Sequence, residues 1–132
     1  MSYVKTTWVD DATPISALNM NNIEQGVFDA GVVIGTYTGD GVASRTISLW
    51  FRPKAVFVLK DGNFVSLKSN GTIPGYIYGG FAIDGSPLLA GGTLVAMEVS
   101  SSGFIVRNTD ADNYYYAYLN SNNASYKYFV FR

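Results

Sequence analysis

The stretch that decides the fold is residues 32–60, VVIGTYTGDGVASRTISLWFRPKAVFVLK, where apolar and polar side chains alternate in short runs. The alternation is clearest at 46–49 (TISL), and it returns at 126–131 (YKYFVF). A period of two is typical of strands that bury one face. Turn sequences such as Gly39-Asp40-Gly41 separate the runs and favour tight reversals. The stretch therefore predicts β-strands joined by short turns.

The same pattern continues from this stretch to the end of the chain. The predicted strands are 32–37, 45–51, 54–60, 64–69, 76–83, 94–99, 103–107, 114–119 and 126–131. Eight or nine short strands spaced by roughly ten residues favour a mainly β fold, an antiparallel β-sandwich. The region contains no linker long enough to divide it, so we predict residues 32–132 as one head domain.

Residues 1–31 differ from the rest of the chain and predict an extended arm followed by one short α-helix. Thr13 followed by Pro14 forms one possible helix start, with an N-cap and a first-turn proline. Ser16 is the alternative N-cap. The sequence leaves both starts open.

The apolar side chains of this helix lie on one stripe. Met20, Ile23 and Val27 recur at steps of three and four residues, which places them on the same helical face. A helix of about 15 residues is marginal alone in water, so the stripe must pack against something. It lies on the body of its own subunit, or it joins other copies in a parallel bundle. We predict residues 1–31 as the segment for self-association and attachment.

The composition narrows the possible functions. The chain of 132 residues has neither cysteine nor histidine, which excludes disulfides, the usual zinc sites and histidine acid–base catalysis. Charged residues make up only 14% and hydrophobic residues 48%, so we expect much surface to be buried between copies. No basic patch points to nucleic acid, and no signal peptide, membrane insertion or cofactor is expected.

The tyrosines are the strongest candidates for a binding site. In a strand over 114–119, Tyr114, Tyr116 and Tyr118 share one face, and Tyr76 and Tyr78 form a shorter pair of the same kind. These rings are buried at a subunit interface, or they form a platform on which sugars stack. In the second interpretation, hydrogen-bonding groups lie nearby, namely Asp112, Asn113 and Asn120.

Carboxylate pairs give weaker signals. Asp110 and Asp112 alternate as calcium ligands do, but further ligands of a calcium motif are missing, so we predict no metal site. Glycoside hydrolysis requires two carboxyl groups held about 5 to 10 Å apart, and none lies in a recognisable catalytic setting. With no histidine to activate a serine, we predict that the protein is not an enzyme.

Several segments resemble known proteins of bacteriophages. Residues 8–19 (WVDDATPISALN) and 23–26 (IEQG) resemble the N-terminal connector of phage tail-fibre and receptor-binding proteins. Residues 35–41 (GTYTGDG) and 45–56 (RTISLWFRPKAV) resemble the first part of the C-terminal head domain of those proteins. The last part of that domain is similar to residues 102–106 (SGFIV), 119–120 (LN) and 126–131 (YKYFVF). The pattern is also similar to H-type lectins, which are trimeric β-sandwiches. Trp50 departs from it, because a small residue usually stands there, and the long fibre shaft is absent.

The resemblance implies a virion component at the phage tail tip that adheres to host cell-surface glycans as a homotrimer. It implies contacts with other tail or baseplate proteins, and with polysaccharide of the host. A structural tail or fibre-joining protein without its own ligand is the alternative, and a polysaccharide depolymerase is a third possibility.

Overall fold

The computed structural model describes residues 5–9, 11–109 and 114–132. It is mainly β with one α-helix, as the alternation predicts. The elements are α1 (Ala17–Asp29), β1 (Val32–Thr38), β2 (Ser44–Ser48), β3 (Ala55–Lys60), β4 (Ser66–Leu67), β5 (Gly75–Ile77), β6 (Gly79–Ile83), β7 (Leu88–Ala90), β8 (Leu94–Ser100), β9 (Gly103–Thr109), β10 (Tyr115–Tyr118) and β11 (Ser125–Phe131).

The strands form two sheets that pack as a sandwich. The first sheet is antiparallel throughout, in the order β1-β11-β3-β6. The second has the order β4-β5-β10-β9-β8-β7, with β2 paired to the first part of β9. One pair, β5 with β10, is parallel. The antiparallel sandwich predicted from the sequence is therefore confirmed in its architecture.

The core lies between the sheets and is made by the inward side of each alternating strand. Val56, Val58 and Val130 of the first sheet are fully buried, as are Phe104 and Val106 of the second. Each of these strands buries every second residue over at least part of its length, as a period of two requires. Burying apolar area stabilises the fold by about 25 cal/mol per Å², so this interior is the main source of stability.

Two tyrosines connect the sheets by hydrogen bonds through the core. The rings of Tyr37 (β1) and Tyr126 (β11) are stacked with centroids 4.7 Å apart. The Tyr37 hydroxyl donates to the Leu119 carbonyl at 2.6 Å, and the Tyr126 hydroxyl donates to the Tyr118 carbonyl at 2.7 Å. The Tyr126 hydroxyl also accepts from the backbone N–H of Ser121 at 3.0 Å. Both buried phenols are thus satisfied, and they fix the end of β10 against the first sheet.

The helix begins where the second of its two possible caps predicts. Ser16 is the N-cap, and its hydroxyl accepts a hydrogen bond from the Asn19 N–H at 3.2 Å. Thr13 instead closes the preceding turn, because its hydroxyl accepts from the Val9 N–H at 2.8 Å. The helix therefore starts at Ala17, one turn later than a start at Thr13 would give.

None of the 13 helix residues is buried. Met20, Ile23 and Val27 remain 46%, 36% and 70% exposed. The interpretation in which the helix packs on the body of its own subunit is therefore wrong. The helix is attached at its C-terminal end instead.

Two cations make that attachment. Lys54 Nζ donates to the Asp29 carbonyl at 3.1 Å, where a positive charge favours the negative end of the helix dipole. The guanidinium carbon of Arg132 lies 3.8 Å from the ring centroid of Phe28 and 4.8 Å from that of Phe51. This cation–π arrangement joins the last turn of α1 to the sandwich.

Several strand predictions were wrong in detail. The segment 76–83 divides at Tyr78 into β5 and β6, which belong to different sheets. Gly79 and Gly80 permit the crossing, because Gly80 has φ +148° and a Cβ on Gly79 would lie 2.4 Å from the Val58 carbonyl oxygen. Strand β7 was missed because three residues are too few to show alternation.

The second predicted strand, 45–51, ends early. Strand β2 stops at Ser48, and Trp50 adopts φ +65°. A bulky residue in this left-handed region is strained, and it breaks the strand before Phe51. The predicted strand 64–69 likewise shortens to Ser66–Leu67.

Replacing Tyr126 with Phe tests the link between the sheets. We expect the free energy of unfolding to fall by about 1–3 kcal/mol, because the Tyr118 carbonyl and the Ser121 N–H lose a buried partner. Urea denaturation measures this. Tyr128→Phe is the control: its hydroxyl has no hydrogen-bond partner within the described ranges. Equal losses in the two variants would contradict the prediction.

Alkaline pH tests the same pair in another way. Burial raises the pKa of Tyr37 far above its ordinary value, and burial also raises the pKa of Tyr126. In the unfolded chain both phenols ionise near pH 10, whereas the folded state keeps them protonated. Stability is therefore lost as the pH rises above about 10. Ultraviolet titration of tyrosinate should show these two groups ionising only with unfolding, and ionisation of all tyrosines in the folded protein would contradict it.

Candidate functional site

Four tyrosines come together at the surface of the second sheet. We call them the tyrosine cluster: Tyr76 on β5, Tyr78 just after β5, and Tyr116 and Tyr118 on β10. The parallel pairing of the two strands sets Tyr116 directly opposite Tyr76. Their neighbours Ile77 and Ala117 are buried, so the alternation of each strand directs the tyrosine rings away from the core.

The rings of the tyrosine cluster stack on one another. The centroids of Tyr76 and Tyr116 lie 5.5 Å apart with an interplanar angle of 21°, and those of Tyr78 and Tyr118 lie 5.8 Å apart at 25°. Along β10, Tyr116 and Tyr118 are 6.0 Å apart and nearly parallel at 9°. These are the distances of favourable offset stacking, so the four rings form one continuous aromatic surface.

The edge of the tyrosine cluster carries one further ring and one cation. Phe64 contacts Tyr78 edge to face, with centroids 5.2 Å apart. Lys60 Nζ lies 5.2 Å from the centroid of the same tyrosine ring, within cation–π distance. Both contacts fix Tyr78 and leave the other three rings to their mutual stacking.

Three phenol groups of the cluster are available to a ligand. All four side chains are half-buried. Among residues 5–9, 11–109 and 114–132, the hydroxyls of Tyr76, Tyr78 and Tyr116 have no hydrogen-bond partner. The cluster therefore offers flat apolar faces beside unsatisfied donors and acceptors.

The structure brings together all but one of the tyrosines that the sequence grouped. Tyr76, Tyr78 and Tyr116 lie together, and Tyr118, which shares the period of two, completes the group. Tyr114 lies before β10 with φ +74° and is 51% exposed, so the left-handed backbone takes it out of the strand alternation. The remaining predicted neighbours, Asp112 and Asn113, lie outside the described residues.

Asn120 is a structural residue, and its prediction as a ligand-binding group is corrected. It is completely buried. Its Nδ2 donates to Asp40 Oδ1 at 2.6 Å and to the Val42 carbonyl at 3.0 Å. Its backbone N–H and carbonyl both bond the Asn108 side chain, at 2.9 and 2.8 Å. These bonds hold the β1–β2 loop against the end of β10, and they leave no group of Asn120 facing solvent.

The carboxylate of Asp40, which Asn120 contacts in the β1–β2 loop, is stabilised in its ionised form. Hydrogen bonds from the Val42 N–H and from Asn120 lower the pKa of Asp40, and Arg45 at 3.6 Å adds to the effect. No signal in the sequence pointed to this set, because Asn120 lies 80 residues from Asp40 and 78 residues from Val42 along the chain.

A concavity of about 200 Å³ lies apart from the tyrosine cluster, between the β6–β7 loop and β8. Its charged side chains are already paired: Arg52 binds Asp84 through two hydrogen bonds of 2.9 and 2.6 Å, and Glu98 pairs with Arg107. The Arg52 bonds lower the pKa of Asp84. These ion pairs stabilise the loop. Glycoside hydrolysis requires one carboxyl group with a raised pKa and a second, free carboxylate. Asp84, with its lowered pKa, is not such an acid, and the paired Glu98 is not a free carboxylate.

Two features are absent from the part of the chain that the structure describes. It holds no group of three or more His, Cys, Asp or Glu side chains placed to bind a metal ion. None of the helices formed by those residues has the length and hydropathy needed to span a membrane.

No protein-family model, no curated protein and no solved structure matches the chain. The resemblance to phage receptor-binding proteins therefore stays an expectation.

Replacing Asn120 with Ala distinguishes a structural role from ligand binding. We expect the free energy of unfolding to fall by about 1–3 kcal/mol, because Asp40 and the Val42 carbonyl lose their buried partner. Urea denaturation measures the loss, with the exposed Asn122→Ala as the control. An unchanged midpoint for Asn120→Ala would contradict the structural role.

Proposed function

We propose that this protein is a non-enzymatic adhesion module, a phage tail-fibre or tail-tip protein that binds host cell-surface glycans. The observation that carries the proposal is the tyrosine cluster, with its four stacked rings and the open hydroxyls of Tyr76, Tyr78 and Tyr116 on one sheet face. The identity as a virion protein rests on the resemblance of residues 8–26 and of the head segments.

Sugars suit this surface for a physical reason. A pyranose ring has an apolar face that packs on an aromatic ring, while its hydroxyls need hydrogen bonds at the rim. Tyrosine supplies both properties in one side chain. Lys60 is the only cation that contacts a ring of the cluster within the described residues, so few charges must be desolvated when a neutral glycan binds.

Self-association would strengthen such a site. A single stacking site binds sugar weakly, but several sites held in one assembly gain avidity without any new contact. The unburied helical stripe of Met20, Ile23 and Val27 supports association between copies. We propose a homotrimer, as the resemblance implies, attached to the other tail or baseplate proteins through residues 1–31.

A structural tail or fibre-joining protein remains the second proposal. It is favoured by the same exposed helix, which suits attachment whether or not the head domain binds a ligand. The two proposals differ in one property, because only the adhesion module depends on the tyrosine cluster.

Tyr116→Ala tests the adhesion proposal. We expect a glycan identified on an array of bacterial surface polysaccharides to bind on the order of tenfold more weakly, because one stacked ring is lost. Tyr116→Phe separates the hydroxyl from the ring and should lose less. Trp50→Ala is the control, since Trp50 is 92% exposed but lies outside the cluster.

Three results would decide against the proposal. Binding that survives Tyr116→Ala unchanged would place the glycan elsewhere. No binding to any polysaccharide of the array would favour the structural protein. Release of reducing ends from host polysaccharide would show a depolymerase.

A further inference from the structure

The outer face of the first sheet is apolar across all four strands. The register aligns one row of Ile34, Phe129, Phe57 and Phe81, and beside it a row of Val32, Phe131, Ala55 and Ile83. We call these two rows the outer apolar face. They lie on the side opposite to the buried Val56, Val58 and Val130, so this sheet is apolar on both sides.

Much of the outer apolar face is open to solvent. The exposed fractions are 81% for Ile34, 51% for Val32, 50% for Ile83, 45% for Phe81, 39% for Phe131 and 37% for Phe129. Between the strands, the face contains an open groove of about 240 Å³ lined by Ile34, Phe57, Leu59 and Phe129, with Lys127 and Tyr128. Its one charge, Lys127, pairs with Asp61 at 3.2 Å.

This pattern is unusual for an antiparallel sheet, whose outer face is ordinarily polar. The second sheet follows that rule, since its outer surface carries the tyrosine cluster and the Arg107–Glu98 pair. The two outer surfaces of the sandwich therefore differ in chemistry. One suits a hydrated ligand, and the other suits burial against apolar surface.

The helical stripe and the outer apolar face are neighbours along the chain. Strand β1 begins at Val32, three residues after the helix ends at Asp29. The contacts of Lys54 and Arg132 fix the helix end to the sandwich. The two apolar surfaces are therefore joined at a short, braced connection.

We propose that the outer apolar face and the helical stripe together form the surface on which a second copy of this chain packs. This inference rests on the self-association in the proposed function and adds the surface that performs it. Ile34, Phe81 and Phe129 then become interface residues beside Met20, Ile23 and Val27.

The area supports a second copy as the occupant. With roughly 200 Å² per large side chain, the exposed fractions give about 600 Å² on the sheet face and about 300 Å² on the helix. Neither patch alone reaches the value of about 800 Å² per partner of a stable interface, whereas the two together do. The sheet face alone is as large as the biggest contiguous apolar patch of a typical monomer, which is about 300–600 Å². A surface almost without charges can pack against further copies of the same chain without leaving a charge buried and unpaired.

The experiment compares the mass in solution of the full chain and its variants by light scattering. We expect the wild type to be an oligomer, and Ile34→Glu to shift it to the 14.3 kDa of one chain. Ile34 is 81% exposed, so the charge leaves the fold of a single chain intact. Thr46→Glu is the matched control, because it adds the same charge at an exposed strand position of the second sheet.

A second measurement uses the absence of cysteine from the chain. A thiol introduced by Ile34→Cys should react several-fold more slowly than one introduced by Val42→Cys, and dilution should abolish the difference. Val42 is 55% exposed in the β1–β2 loop, outside the outer apolar face.

The proposal is overturned if the wild type is a single chain, or if Ile34→Glu keeps the oligomeric mass. Equal thiol reactivity at the two positions would overturn it too. So would protection of the thiol at position 34 by lipid vesicles and not by higher protein concentration. Its failure is distinguishable from failure of glycan binding. Loss of sugar binding in Tyr116→Ala with an intact oligomer concerns the site alone, and dissociation of Ile34→Glu with normal binding of free oligosaccharide concerns the interface alone.

Discussion

The structure depends on the stacked pair of Tyr37 and Tyr126, whose hydroxyls bond the backbone at the end of β10. These bonds join the two sheets at the strand that carries Tyr116 and Tyr118. Unpaired phenols in a dry core would be costly, so the backbone carbonyls and the two rings fix one another. The position of the tyrosine cluster relative to the first sheet follows from this link.

The two outer surfaces of the sandwich differ in chemistry. The first sheet presents an apolar face, while the second presents stacked tyrosines, of which Tyr76, Tyr78 and Tyr116 have open hydroxyls. If copies associate through the first, the second remains outside and is repeated in the assembly. Adhesion through weak sites then gains strength from multiplicity rather than from any single contact.

Local patterns predicted the strands well where the alternating or continuously apolar run was long, as at 32–37, 54–60 and 126–131. They failed where a backbone conformation interrupted the pattern, at Trp50, at Gly79-Gly80 and before Tyr115. For the site, the period of two grouped Tyr116 with Tyr118 and Tyr76 with Tyr78, but it also included Tyr114, which the structure takes out of the strand. The burial of Asn120 had no signal in the sequence, because its partners Asp40 and Val42 lie far away along the chain.

The sequence by itself determined the mainly β class, the single short helix, the absence of disulfides and the scarcity of charge. These properties follow from residue types and their spacing, which are local. The tertiary structure alone decided which strands share a sheet, that the cluster tyrosines stack, and that the apolar residues of β1, β3, β6 and β11 align into one exposed face. Such alignments depend on register between distant strands, and a strand's own residues do not specify its neighbours.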